Sequence, residues 1–142
     1  MSDRERLVAL ARSRFSFLER DRGFRTQVDD RAQRTVLAYV GEPATFEVEL
    51  DWREQAVFLL VCRTIDGRRP PGYYVHEGRV VRTHLAQALD TGAQRGRQMA
   101  AELRKATRRS GTAAMESQIA AAATALHDSL DDLLADFDRI LP

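Results

Sequence analysis

Apolar residues recur at three- and four-residue spacing from about Asp3 to Arg20, so Leu7, Leu10, Ala11, Phe17 and Leu18 share one side of a predicted helix. Ser2 or Asp3 caps its start. "DRGF" ends it, with Gly23 where a left-handed residue costs least and Phe24 placed to fold back on the last turn. The aromatic and charged stretch from Phe15 to Phe24 therefore reads as a helix terminus rather than a ligand site. Beyond it the period shortens to two. "RTVLAYV" (Arg34 to Val40) predicts a strand that stops at "GEPAT". "TFEVELDW" alternates, with Phe46, Val48, Leu50 and Trp52 on one face and Glu47, Glu49 and Asp51 on a wet one. "AVFLLVC" (Ala56 to Cys62) is apolar on both sides, as expected of a central strand. "DGRRPPG" is a loop, and "YYVHEGRVV" predicts a short hairpin or one bent strand, turning near Glu77-Gly78.

From Thr83 the pattern is helical. "THLAQALD" predicts a short helix capped by Thr83 and stopped near Gly92. "AQRGRQMAAELRKATRR" predicts a second, and Gly111-Thr112 opens a last one of nearly thirty residues, roughly 45 Å long at 1.5 Å per residue. The fold class is α+β: an N-terminal helix, an antiparallel meander of four to five strands, then C-terminal helices including one long one. This divides into an α+β body over 1–91 and a helical extension over 92–142, a hairpin or a long arm.

In the last helix Ile119, Ala123, Leu126, Leu130, Leu133, Phe137 and Ile140 repeat at 4-3 spacing, a heptad seam. The preceding helix offers only Met99, Leu103 and Ala106 as a facing stripe. Two readings stand: an antiparallel hairpin folded on its own body, or a seam that joins a second copy or a partner's helix. Charge adds to the picture. Arg95 to Arg109 holds six basic residues and one acid, a net of +5, whereas Gly111 to Pro142 holds six acids and one arginine, a net of −5. In the hairpin reading these helices would attract each other.

Composition narrows the classes. The 142 residues are 44% hydrophobic and 30% charged with a net charge of +1, so no global field draws the chain to nucleic acid or membrane. Lys105 is the only lysine. Cys62, the only cysteine, lies in an apolar run and reads as a small core residue in a reducing cytoplasm. No stretch is long and apolar enough to span a bilayer.

Recognisable chemistry is sparse. His76, His84 and His127 lack the spacing that sets two ligands on one helical side, and no C-x-x-C occurs, so no metal or cofactor site is expected. Glu47, Glu49 and Asp51 form a row that reads as a solvated outer face. The most site-like loop is "DGRRPPGYYV": Arg68 and Arg69 offer an anion fork, and Tyr73 and Tyr74 present stacking faces typical of protein-interface anchors. Read as a purely structural element, the same loop is a proline-stiffened connection whose tyrosines cover a sheet edge.

"FSFLERDRGFR" followed by "VLAYVGEPATFEVELDWREQAVFLLV" resembles a loose class of small bacterial proteins in which a helix ending F-x-F-L-x(4)-G-F leads into an antiparallel sheet. Some of those look like immunity proteins of polymorphic toxin systems. The resemblance covers the first sixty to eighty residues and rests on packing positions, so it implies a fold and a class of protein partner but no catalytic residues. The expectation is a non-enzymatic interaction module that binds a protein or itself through Ile119, Leu126, Leu130, Leu133, Phe137 and Ile140, with Arg68, Arg69, Tyr73 and Tyr74 as a second surface. The alternative is a nucleic-acid-associated accessory protein using Arg95, Arg97, Arg104, Lys105, Arg108 and Arg109.

Overall fold

Ser2 opens the first helix: its Oγ accepts the Glu5 N–H at 3.1 Å and donates to the Glu5 carboxylate at 3.0 Å. In the computed structural model, which describes all of Met1–Pro142, the predicted helix is two, α1 (Asp3–Arg14) and α2 (Phe17–Arg22). The chain bends at Phe15, whose ring is fully buried against Phe17 and Tyr39. Gly23 closes α2 at φ +70°, donating to the Glu19 carbonyl. Phe24 then turns into the sheet, stacking on Phe46 with ring centroids 5.8 Å apart.

Five strands form one antiparallel sheet in the order β1 (Arg25–Asp30), β2 (Arg34–Val40), β3 (Ala44–Asp51), β4 (Ala56–Arg63) and β7 (Arg82–His84). A separate hairpin, β5 (Val75–His76) with β6 (Arg79–Val80), precedes β7. Strand β1 has no counterpart in the hydrophobic pattern. Its residues RTQVDD are exposed or half-exposed throughout, and it is recognisable only by its six-residue pairing with β2. Strand β4 is buried on both faces, as its apolar run predicts, and lies between β3 along its whole length and β7 over Leu60–Cys62 alone.

The helices α3 (Leu85–Asp90), α4 (Gln94–Ala106), α5 (Thr112–Ala135) and α6 (Phe137–Ile140) complete the chain. His84, not Thr83, occupies the N-cap of α3 and makes no side-chain cap bond, while Thr83 Oγ1 donates to Gln87 at 3.3 Å. Gly96 lets α4 approach α3 closely, since a Cβ there would sit 2.8 Å from the Leu89 carbonyl oxygen. The last helix spans 24 residues, about 36 Å, before Asp136 interrupts it.

The seam of α5 is covered by its own chain. Ile119, Ala123, Leu126, Leu130, Leu133 and Phe137 are buried and Ile140 is half-buried. Three elements cover them together: α1, α4 and the inner face of β4. Helix α5 runs parallel to the N-terminal helices, with Arg6 paired to Glu116, the Phe17 ring 5.1 Å from the His127 ring, and Arg22 bonded to Asp131 at 2.5 Å. This corrects the expectation that the stripe exceeds what the chain can hide: a count against α4 alone omits the sheet and α1. One cluster of buried residues runs from Leu7 to Leu141, so residues on both sides of position 91 share a core. The expected attraction between α4 and α5 also takes another form. No ion pair joins them, and Arg104 of α4 pairs with Asp90 of α3.

A buried glutamine ties the layers together. Gln118 of α5 accepts the Val57 N–H through Oε1 at 2.7 Å, and its Nε2 donates to the carbonyls of Ala106 at 3.1 Å and Arg109 at 2.8 Å. That one side chain serves the free edge of β4 and the carbonyl end of α4. At the other end of β4, Arg63 lies over the Phe137 ring at 5.1 Å and donates to the Leu141 carbonyl, holding the chain end on the sheet.

Candidate interaction surface

The outer face of the sheet, opposite the helices, is where the site-like loop lies. Alternation sends Glu47 to this face, and the wet surface expected for it is absent: Glu47 is 1% exposed. Arg82 of β7 lies on the far side of β4, two positions from His84, which is in register with Glu47 through Leu60. It reaches Glu47 diagonally, with Nε to Oε1 at 2.7 Å and Nη2 to Oε2 at 3.0 Å. The remaining guanidinium donors of Arg82 go to backbone carbonyls of the overlying loop, to Pro70 at 3.3 Å, Pro71 at 2.6 Å and Tyr73 at 2.7 Å. All five N–H groups of this buried side chain are therefore satisfied.

Arg69 also donates to Glu47 and pairs with Asp29 of β1 at 3.4 Å. It is half-buried and committed to two carboxylates, so it is no part of an anion fork, whereas Arg68 stands exposed next to it in the chain. Burial opposes the charged form of Glu47, but hydrogen bonds from Arg82 and then Arg69 outweigh it and hold the carboxyl below its ordinary value. Cys62 lies in the same layer, and burial pushes its thiol well above the usual range, so it is not poised as a nucleophile. Glu49 is bonded to Arg34 at 3.3 Å and Asp51 accepts the Glu54 N–H at 2.9 Å, so the three acids of the row share no partner.

On this charged platform stands the β5–β6 hairpin. Glu77 at φ +51° and Gly78 at φ +78° make the tight turn that suits strand twist. Val75 faces Val80 across it. Tyr73 is 68% exposed, Val75 55%, Tyr74 49% and Val80 47%; apart from Met1 and Val28 these are the only large hydrophobics the chain leaves exposed. The Tyr74 hydroxyl lies 3.4 Å from His84 Nε2, and the His84 ring meets Phe58 at 6.0 Å, so aromatic surface continues from the hairpin toward β4. Of the sequence-derived candidates, Tyr73 and Tyr74 are exposed beside the hairpin, Arg68 is exposed at the Ile65–Arg68 turn of the same loop, and Arg69 is committed to Glu47 and Asp29. Val75 and Val80 were missed. Their signal was two valines facing each other in a hairpin with no covering element.

The basic residues of α4 and of the turn that follows it are all exposed. Arg104 is committed to Asp90 and Arg97 donates to the Gly92 carbonyl at 2.9 Å, while Arg95, Lys105, Arg108 and Arg109 have no carboxylate partner. A cleft of about 300 Å³ opens between β4 and the helices α3, α4 and α5, lined by Val57, Leu59, Leu85, Leu103 and Ala122. The polar atoms of Gln118 in its wall are all engaged. No helix of the chain is long and apolar enough to cross a membrane. Comparison with family models, with curated proteins and with solved structures returns no match to this chain.

Proposed function

We propose that this chain is a non-enzymatic protein-interaction module of the cytoplasm that docks through the hairpin carrying Tyr73, Tyr74, Val75 and Val80. The observation that supports this reading is the concentration of exposed large hydrophobics on a single hairpin, over a platform whose own polar groups are satisfied. Tyrosine and arginine, here Tyr73 and Tyr74 with Arg68 exposed on the same loop, are the residue types that anchor protein interfaces. A rigid base lowers the ordering cost of binding. The docking surface thus moves from the C-terminal helix, whose apolar stripe is occupied, to the other side of the sheet. Neutralisation of a toxin by covering its site is the form of this function that the N-terminal motif suggests.

The test is a photo-crosslinking residue at position 73, expressed in the native host, with and without Val80→Asp. One dominant adduct that disappears with Val80→Asp supports the reading. Adducts unchanged by Val80→Asp oppose it.

A second reading rests on the unpaired cations of α4 and its following turn. Binding of single- or double-stranded nucleic acid with a steep salt dependence, lost on replacing Arg95, Lys105, Arg108 and Arg109 by Gln, would favour it.

A further inference from the structure

The two edges of the five-stranded sheet are finished differently. At one edge β7 is three residues long, and the uncovered part of β4 is met by Gln118. At the other, β1 pairs with β2 along its full six residues and has no strand on its far side. It contains no proline or bulge, two of the devices that stop an edge from pairing, and its charges, Arg25 against Asp29 and Asp30, are of both signs. Val28, on the helix-side face with Leu37, is left 48% exposed.

We propose that β1 is a self-association edge, on which a second copy of this chain docks β1 to β1 in antiparallel fashion and extends the sheet to ten strands. The charge pattern carries the argument. Residues that face each other across an antiparallel pair share a face of the sheet, so a twofold axis must pass through a residue facing its own copy. With the axis at Gln27, Arg25 faces Asp29 of the second copy, twice by symmetry, and Thr26 faces Val28, covering the exposed valine. With the axis at Val28, Arg25 would instead face Arg31, like against like. The charges therefore select the Gln27 register.

Both partners have capacity to spare. Arg25 makes one side-chain bond, to the Gly67 carbonyl at 2.8 Å. Asp29 accepts from Arg31 at 3.0 Å and from Arg69 at 3.4 Å, leaving acceptor sites on a carboxylate that offers about four. Strand-to-strand pairing of this length lies at the small end of specific interfaces, so the dimer forms in a concentration-dependent equilibrium.

The experiment is sedimentation velocity of the full chain across a concentration series, with Arg25→Asp, Asp29→Arg and an equimolar mixture of the two. The wild type should dimerise as concentration rises. Each single variant sets like charges opposite each other at both sites and should weaken dimerisation by roughly tenfold. The mixture should recover it, because in the heterodimer of the two variants positions 25 and 29 again carry opposite charges at both sites. Gln27→Cys, oxidised at low concentration, should give a disulfide-linked dimer and supports the register independently if Asp29→Arg fails to fold. A wild type that stays monomeric at every concentration overturns the proposal, as does a dimer indifferent to Arg25→Asp or a mixture that shows no recovery. Val80→Asp should leave this equilibrium unchanged, which separates it from docking at the hairpin.

Discussion

Arg82 and Glu47 meet diagonally across β4 in a two-bond pair, at 2.7 and 3.0 Å, closed over by the loop whose carbonyls take the remaining Arg82 donors. The pair is the joint between the sheet and its exposed hairpin. Removing Glu47 leaves the Arg82 charge buried without a counter-charge, and removing Arg82 leaves the buried Glu47 held by Arg69 alone. Glu47→Gln or Arg82→Met should each cost about 3–5 kcal/mol, whereas the double change to Leu and Met should cost less than either alone. Arg82→Lys keeps the charge but cannot supply five donors in a fork, so it should free the loop to protease cleavage between residues 66 and 80 before the core unfolds. Urea unfolding and limited proteolysis read these two effects separately.

The same carboxylate gives the fold an acid sensitivity of known sign. Glu47 titrates below its ordinary value of 4.5 in the folded protein, so in the window between the two values the unfolded chain binds more protons. Its contribution is present above pH 4.5 and is lost as pH falls through the lower folded value. Stability measured by urea midpoint should therefore decline in the wild type as pH falls from 4.5 toward that lower value. Glu47→Gln, already destabilised at neutral pH, should show a shallower decline over that window.

Gln118 invites a different test, because it is neutral and fully used. Gln118→Leu leaves the Val57 N–H, the helix-end carbonyl of Ala106 and the loop carbonyl of Arg109 without their partner, and should cost about 1–3 kcal/mol per group left dry. Gln118→Glu keeps an acceptor for Val57 but turns a donor toward two carbonyls into a negative charge, so it should be the worse of the two. Thermal unfolding of both variants gives the order.

Tyr39 supplies the opposite case. Its ring is fully buried against Phe15, but its hydroxyl has no hydrogen-bond partner, and burial pushes its pKa upward. Tyr39→Phe removes an unsatisfied group and keeps the shape. Stability should be unchanged or raised by roughly 1 kcal/mol, in contrast to the loss usual for a core substitution.

How far the chain could be read beforehand follows from where each residue's partner lies. The Gly23 stop, the alternation of β3 and the double-sided burial of β4 depend on neighbours within a few positions, and all three are present. Strand β1 was invisible because an edge strand with both faces half-wet has no hydrophobic period. Glu47 was read as solvated because its arginine partners lie 22 and 35 positions away. Nothing in "EVELD" records that a proline-rich loop closes over it. The hairpin tyrosines were legible as a surface because exposure needs no distant partner, whereas Arg69, beside them in sequence, was drawn inward by that same glutamate.

The C-terminal helix separates the two architectures most sharply. Were it an arm, deletion of residues 112–142 would leave a folded sheet. Here Leu126 and Leu130 are buried within the core that also contains Leu7, Val48 and Leu59, and the inner face of β4 has α5 as a principal cover. Deleting 112–142 should therefore unfold the body, seen as loss of cooperative melting and of tertiary signal from Trp52. Point changes make the same case without truncation. Leu126→Ala should cost about 2–5 kcal/mol, the range for a large-to-small change at a fully buried leucine. Thr124→Asp, two positions away on the exposed side of the helix, should be within about 0.5 kcal/mol of wild type. A helix that docked a partner through its seam would show the reverse: tolerance of Leu126→Ala in the isolated chain, and loss only of association.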